Sequence, residues 1–415
     1  MTDALLRPVA SADEQLRERA GAVIPGGMWG HQRAAAVPRG YPQFFAGGDG
    51  AMVRDVDGRE YIDFMCSWGP IILGHRHPAV DEAVRRQLEA GDCLDGPTEH
   101  VVHLAEMLVE TIPHAAWAMF QKNGADAMTS CVTIARAKTR KRKVLAATGA
   151  YHGAVPWCSP SLVGVTAEDR AHLIHYVYND IDSLTAAVES AGDDLAAIVV
   201  SAFRHDLGKP QELPSPAFAK AARALCDRAS AALIVDDVRG GFRLDLGGSW
   251  ERVGVRPDLA GYSKAIANGQ PLSAITGTEA FRETAAGVFV TGSFWSAGAP
   301  MAAAVATLTE LHRVNAPAVL EAAGRRFSQG LLEHAGRHGF DLEISGPPQI
   351  PMMLFRNDPE WLLGEALCQE ALSRGVYLHH KHNMFLSLAH TDEVIDKALN
   401  AIDDAFAAVA RKRKA

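Results

Sequence analysis

The sequence predicts an α/β protein with a large domain around a mainly parallel sheet. A smaller α+β domain is expected from the two ends of the chain. Three observations lead there. Short apolar runs alternate with amphipathic helical stretches through the middle of the chain. Residues 1–70 and 306–415 read differently from that middle. No internal repeat or low-complexity segment breaks the pattern. The chain has 415 residues, 48% of them apolar and 22% charged, enough for two to three domains at roughly 150 residues each. Disordered, collagen-like and disulfide-scaffold chains are excluded by that composition.

Each element follows in order. Residues 1–70 hold the turn-rich Pro25-Gly26-Gly27 and Gly47-Gly48, and residues 52–64 read as a hairpin turning at Asp57-Gly58. Residues 71–305 form the expected large domain. Apolar residues recur at helical spacing over 77–90, 102–112 and 217–229. The runs at 143–147, 195–200, 232–235 and 259–262 read as strands. Residues 306–415 read as helix, strand, helix, with a break at Gly346-Pro347-Pro348. The RKRK run at 411–414 reads as a solvated helix end.

Charge and cysteine usage narrow the function. Lys plus Arg number 41 against 49 Asp plus Glu, a net charge of −8, which argues against nucleic acid as a partner. The six cysteines form no CxxC pair and read as reduced thiols of a cytoplasmic protein. The polar start of the chain shows no signal peptide, and no apolar run approaches the roughly 20 residues of a membrane span.

Three loops carry the chemistry, each expected beyond the carboxyl end of a strand, where ligands bind in such sheets. Asp236 ends the run at 232–235, an acid able to face the ligand crevice. Alone it reads first as a helix cap or a surface turn. Lys264 ends the strand-like segment 257–264. A lysine there is costly unless paired or used covalently, and a desolvated amine loses its proton readily. Asn123-Gly124-Ala125-Asp126 opens a helix reaching to about 138, and such a start cradles a phosphate. Taken together, cradle, acid and amine are what pyridoxal 5'-phosphate (PLP) requires. Tyr151-His152-Gly153 adds an aromatic able to stack on the ring.

These segments, in this order, resemble class III (fold type I) PLP-dependent aminotransferases, and within them the glutamate-1-semialdehyde aminomutase-like subgroup. The likeness runs from Ile24-Pro25-Gly26-Gly27 and Ser67-Trp68-Gly69-Pro70 through Asn123 to Ala127, Tyr151-His152-Gly153 and Asp236-Asp237-Val238 to Lys264 and Gly375-Val376-Tyr377-Leu378. The resemblance implies that Lys264 is the Schiff-base lysine and proton shuttle and that Asp236 pairs with the pyridine nitrogen. Val238 and Tyr151 lie on opposite ring faces, with His152 also on the cofactor. Gly124 and Ala125 give backbone N–H groups to the phosphate. Ser293 matches a threonine reaching the phosphate of a neighbouring subunit, so a homodimer with shared active sites is implied. Arg33 matches an arginine for the substrate carboxylate, and Trp68 an aromatic pocket wall.

The chain departs from that pattern in four places. Gly-Thr-Glu is Gly124-Ala125-Asp126, which removes at most one hydrogen bond, on the order of 1 kcal/mol. Asp-Glu-Val is Asp236-Asp237-Val238. Ser201 stands where many relatives have a glutamate, so Arg204 and His205 either recognise another group or lie on the surface. The segments 154–177 and 378–383 are shorter than in aminomutases, which favours product release. His379, His380 and His382 read as pocket lining and not as a metal site. The expected activity is ping-pong amino transfer from a β-amino acid, ω-amine or amino sugar to an oxo acid or other carbonyl. Intramolecular aminomutation, racemisation and a non-catalytic binding protein are the alternatives.

Overall fold

The structure is a computed structural model that describes residues 10–30 and 32–414. Of the polar opening segment, residues 1–9 lie outside the described residues. Helix α1 (Ala12–Val23) precedes strands β1 (Phe45–Asp49), β2 (Met52–Asp55) and β3 (Glu60–Asp63). Helices α2 (Pro78–Ala90) and α3 (His100–Thr111) lead to β4 (Trp117–Gln121), α4 (Gly124–Thr139), β5 (Lys143–Ala147) and β6 (Leu173–Tyr176). Then come α5 (Ile181–Ala191), β7 (Leu195–Ser201), α6 (Pro216–Ala229), β8 (Ala232–Asp236), β9 (Leu259–Tyr262), β10 (Ser273–Gly277) and α7 (Arg282–Gly287). The carboxyl-terminal part holds α8 (Gly298–Arg313), α9 (Ala316–Arg337), β11 (Leu342–Ser345), β12 (Met352–Phe355), α10 (Leu362–Leu372), β13 (Val376–Tyr377) and α11 (Asp392–Lys414).

Seven strands form the large sheet in the order β4-β10-β9-β8-β7-β5-β6. β10 runs antiparallel to both its neighbours, and the other pairings are parallel. Every residue of β7 and β8 is buried, which is why their text is continuously apolar instead of alternating. Helix α4 packs against β7, β8, β9 and β10. The approach is close: a Cβ on Gly261 of β9 would lie 2.6 Å from Met128 Sδ. Ser201 is in register with Asp236, and Asp236 with Gly261, so their carboxyl ends form one edge.

The expected hairpin is β2–β3, with Met52 opposite Ile62 and Arg54 opposite Glu60. β3 also pairs with β13, Ile62 against Val376, so one four-stranded sheet joins segments from both ends of the chain. The carboxyl-terminal part is richer than helix, strand, helix. It adds the antiparallel β11–β12 pair and the two-residue β13. α8 runs unbroken through position 305 and packs on α2 and α3. At the end of α11, Lys412 pairs with Glu370 of α10 at 2.6 Å. Among the described residues no helix is long and apolar enough to cross a membrane.

Candidate active site

Asp236 is the last residue of β8 and is buried. One carboxylate oxygen accepts from the Val238 backbone N–H at 3.1 Å, and the other from His152 Nδ1 at 2.7 Å. A carboxylate has spare lone pairs after two such bonds. His152 is itself buried, and its Nε2 has no hydrogen-bond partner among the described residues. Asp237, one residue on, points elsewhere. Its carboxylate accepts from the backbone N–H and hydroxyl of Ser249, and burial pushes it up to about 6.

Lys264 opens a short 3-10 turn after β9 with φ 45°, left-handed backbone for a long side chain. Its Nζ donates to the Trp68 carbonyl at 2.8 Å. Burial pushes its pKa down to about 7, with Arg239 and Arg243 lowering it further and Asp236 opposing. Trp68 stands edge-on to His382, ring centroids 4.8 Å apart, and to His379 at 5.6 Å. These two histidines therefore line the space beside Trp68. His379 is held down to about 4 by burial, so its ring is neutral near pH 7.

The first turn of α4 faces this edge. Asn123 O takes the amides of Asp126 and Ala127, while those of Gly124 and Ala125 have no acceptor within the helix. Gly124 packs under Val238: a Cβ there would meet Val238 Cγ1 at 2.8 Å. Gly153, with φ 126°, lies against Ala125, whose Cβ would be 2.6 Å from a Cβ at 153. Tyr151 is 44% exposed in this chain. The charges of Asp236 and Arg239 both act on its phenol, which burial raises.

The fold thus brings Lys264, Asp236, His152, Val238, Gly124, Ala125 and Trp68 around one sheet edge. Ser293 and Arg33 are exposed and make no hydrogen bond to that group among the described residues. Arg204 is engaged elsewhere, by an ion pair with Glu212 at 2.9 Å and a backbone bridge to the same residue. Sequence reasoning missed Arg239 and Asn383. Arg239 was within reach of it, since it leaves β8 three residues after Asp236. The residues fit PLP: paired N–H groups for a phosphate, a low-pKa amine, a buried carboxylate, and an unpartnered His152 Nε2 beside it.

A mainly parallel sheet with amine, carboxylate and phosphate-type helix start at one edge defines a fold type I PLP enzyme. Residues 36–406 match the profile of the family described as Aminotransferase class-III, and the chain belongs to that family. It is 44% identical to the aminopentol aminotransferase of Sphingopyxis macrogoltabida, over 96% of this chain and 94% of that one. It is 33% identical to the glutamate-1-semialdehyde 2,1-aminomutase of Desulforudis audaxviator, over 94% and 96% of the two chains. The FumI protein of Sphingopyxis sp. MTA144, solved in its PLP form, superposes with a TM-score of 0.95 at 44% identity, covering 97% of each chain. This chain is an aminotransferase, and its cofactor is PLP.

Proposed function

We propose that the chain moves an amino group in two separate stages, from an amine donor to the cofactor and then to an oxo acid. The donor class we favour is an amine-bearing polyol, in line with the aminopentol aminotransferase at 44% identity. The observation that carries this reading is the partly buried Lys264 amine held at the same sheet edge as Asp236.

When bound, PLP supplies an electron sink for the carbon that loses its proton. Lys264 would hold the cofactor through its side-chain nitrogen, and the same Nζ would carry the proton. Asp236, fixed by His152, keeps the ring nitrogen protonated. Val238 and Tyr151 would bracket the ring, and the amides of Gly124 and Ala125 would hold the phosphate. Trp68 would wall the substrate space, and Arg33 would serve the carboxylate of those substrates that carry one. Ser293 reaches the phosphate of a second copy, making the enzyme a homodimer. Phe289 and Phe294, 94% and 68% exposed, flank Ser293 and support an interface there. Six free cysteines, five of them buried, support a cytoplasmic location. The domain division is likewise our reading, with the second boundary moved from 305 to the end of α8, because α8 packs on α2 and α3.

A donor screen tests the function. PLP-loaded protein mixed with an amino polyol should lose visible absorbance and recover it only when an oxo acid is added. Complete turnover without any acceptor would establish aminomutation instead.

A further inference from the structure

Arg239 leaves β8 three residues after Asp236 and is partly accessible. Its Nη1 donates to Asn383 Oδ1 and lies 3.3 Å from His382 Nε2. Both acceptors are uncharged. Asn383 Nδ2 is spent on the Met384 carbonyl at 2.9 Å, which turns Oδ1 toward Arg239. His382 Nδ1 lies 2.8 Å from the Asn383 carbonyl, so Nδ1 carries the proton and Nε2 accepts. Burial keeps that imidazole neutral near pH 7. The Phe385 ring lies 5.9 Å from the guanidinium carbon.

Arg204 and Arg223 have carboxylates, Glu212 and Asp258. Arg243, fully buried, spends its two Nη groups on the carbonyls of Leu386, Gly69 and Ile71. Arg239 alone of these four has neither. Among the described residues it forms no ion pair, and its remaining N–H groups make no hydrogen bond. The charges that act on it are Asp236 and Tyr151. A guanidinium partly withdrawn from water with no carboxylate hydrogen-bonded to it is costly, and its planar fork matches a carboxylate. His382 ties it to Trp68, whose carbonyl holds Lys264. The fork and the amine therefore border one space.

We propose that Arg239 binds the carboxylate of the amino acceptor, an oxo acid, while the acceptor's carbonyl faces the Lys264 side. The assignment rests on the aminotransferase reading and names the acceptor's recognition group. Among the described residues no carboxylate is hydrogen-bonded to the fork, which leaves its remaining N–H groups for the acceptor.

The test uses protein loaded with pyridoxamine 5'-phosphate and follows the growth of visible absorbance. The acceptors are pyruvate and its uncharged ester, methyl pyruvate. Arg239→Gln should raise the half-saturating pyruvate concentration about 30-fold or more, while methyl pyruvate changes less than about twofold. Arg239→Lys should fall between. A role confined to holding the 379–383 loop would impair both acceptors alike. Equal losses, no loss, or selective loss in Arg33→Gln instead of Arg239→Gln overturns the proposal. As a second readout, calorimetric binding of propionate to the PLP-loaded protein should weaken about tenfold or more in Arg239→Gln. Unchanged propionate binding also overturns it. Wild-type protein that converts neither acceptor defeats the oxo-acid acceptor of the proposed function, an outcome separate from wild-type turnover that ignores Arg239.

Discussion

The Lys264 side-chain nitrogen lies 2.8 Å from the backbone carbonyl of Trp68. That carbonyl belongs to a run, Cys66 to Gly69, in which four consecutive residues have positive φ, at 47°, 54°, 65° and 107°. Left-handed backbone costs roughly 1–2 kcal/mol at each non-glycine residue, and such strain gathers at functional sites. Here it turns a carbonyl inward to hold the amine. The hydrogen bond uses one donor of the amine, whether or not it is charged.

The first prediction concerns pH. The Lys264 pKa falls from 10.5 in the free side chain to about 7 in the fold. A depressed pKa means that its contribution to stability is complete above about 10.5, shrinks below that, and is gone once pH falls through about 7. The same shift leaves a neutral, nucleophilic amine near neutrality. PLP uptake by the apo-protein, followed by visible absorbance, should therefore rise with pH around a midpoint near 7. Removing the neighbouring cation in Arg239→Gln should move that midpoint upward. A midpoint that stays near 10 in the parent protein would show the amine to be in open water. Lys264→Ala should abolish the absorbance and the turnover together.

The phosphate-type helix start gives a steric prediction. A methyl group at position 124 would lie 2.8 and 2.9 Å from the two Val238 γ-carbons. Val238 is β-branched and stiff, so it cannot swing aside. Alanine favours helices, yet the clash dominates at this site. Gly124→Ala should lose about 1–3 kcal/mol of stability. Its PLP affinity should fall as well if, as proposed, Gly124 and Val238 both hold the cofactor, because the clash pushes them apart. Adding Val238→Ala should restore part of both, read by melting temperature and PLP titration. A single variant that binds PLP like its parent would refute the steric argument.

Asp236 and His152 give a third. Their 2.7 Å contact and the Val238 N–H fix the carboxylate at the strand end. Asp236→Asn keeps the shape and removes the charge. Its donor half-reaction should slow by on the order of 100-fold, the usual effect of losing one aligned electrostatic group. His152→Ala leaves the charge but frees the carboxylate to turn, so a smaller loss is expected. Stopped-flow bleaching of the PLP-loaded protein checks both, and a faster His152→Ala enzyme would mean that the contact restrains the carboxylate unproductively.

What the sequence made legible was the pattern along single segments. The strands around 143–147, 195–200, 232–235 and 259–262 match β5, β7, β8 and β9, because buried parallel strands are written as unbroken apolar runs. Strand β10, SAITG, escaped because polar and small residues interrupt it, whereas strand β4, WAMFQ, escaped although its text is apolar up to Gln121. The two-residue β13 is invisible locally, since only sheet pairing makes it extended. In the site, Lys264 and Asp236 stood out through residue type at a strand end. Arg239 did not, because its meaning lies in what it lacks. That it faces Asn383 and His382 and has no carboxylate is a fact about segments some 140 positions apart.

The last prediction is about assembly. Phe289 is 94% exposed and Phe294 68%, on either side of the exposed Ser293. Large apolar groups bared together on a soluble surface mark an interface. If that surface closes on a second copy, Ser293 of each chain comes to the other's phosphate site, and cofactor binding depends on assembly. The parent should sediment at twice its 44.5 kDa chain mass. Phe289→Asp with Phe294→Asp should sediment at the single-chain mass and bind PLP more weakly, although neither change touches the Lys264 pocket of its own chain. Ser293→Ala should remain associated and lose only part of the PLP affinity, which separates the phosphate contact from the interface. Single chains that bind PLP as tightly as the parent would exclude a shared site.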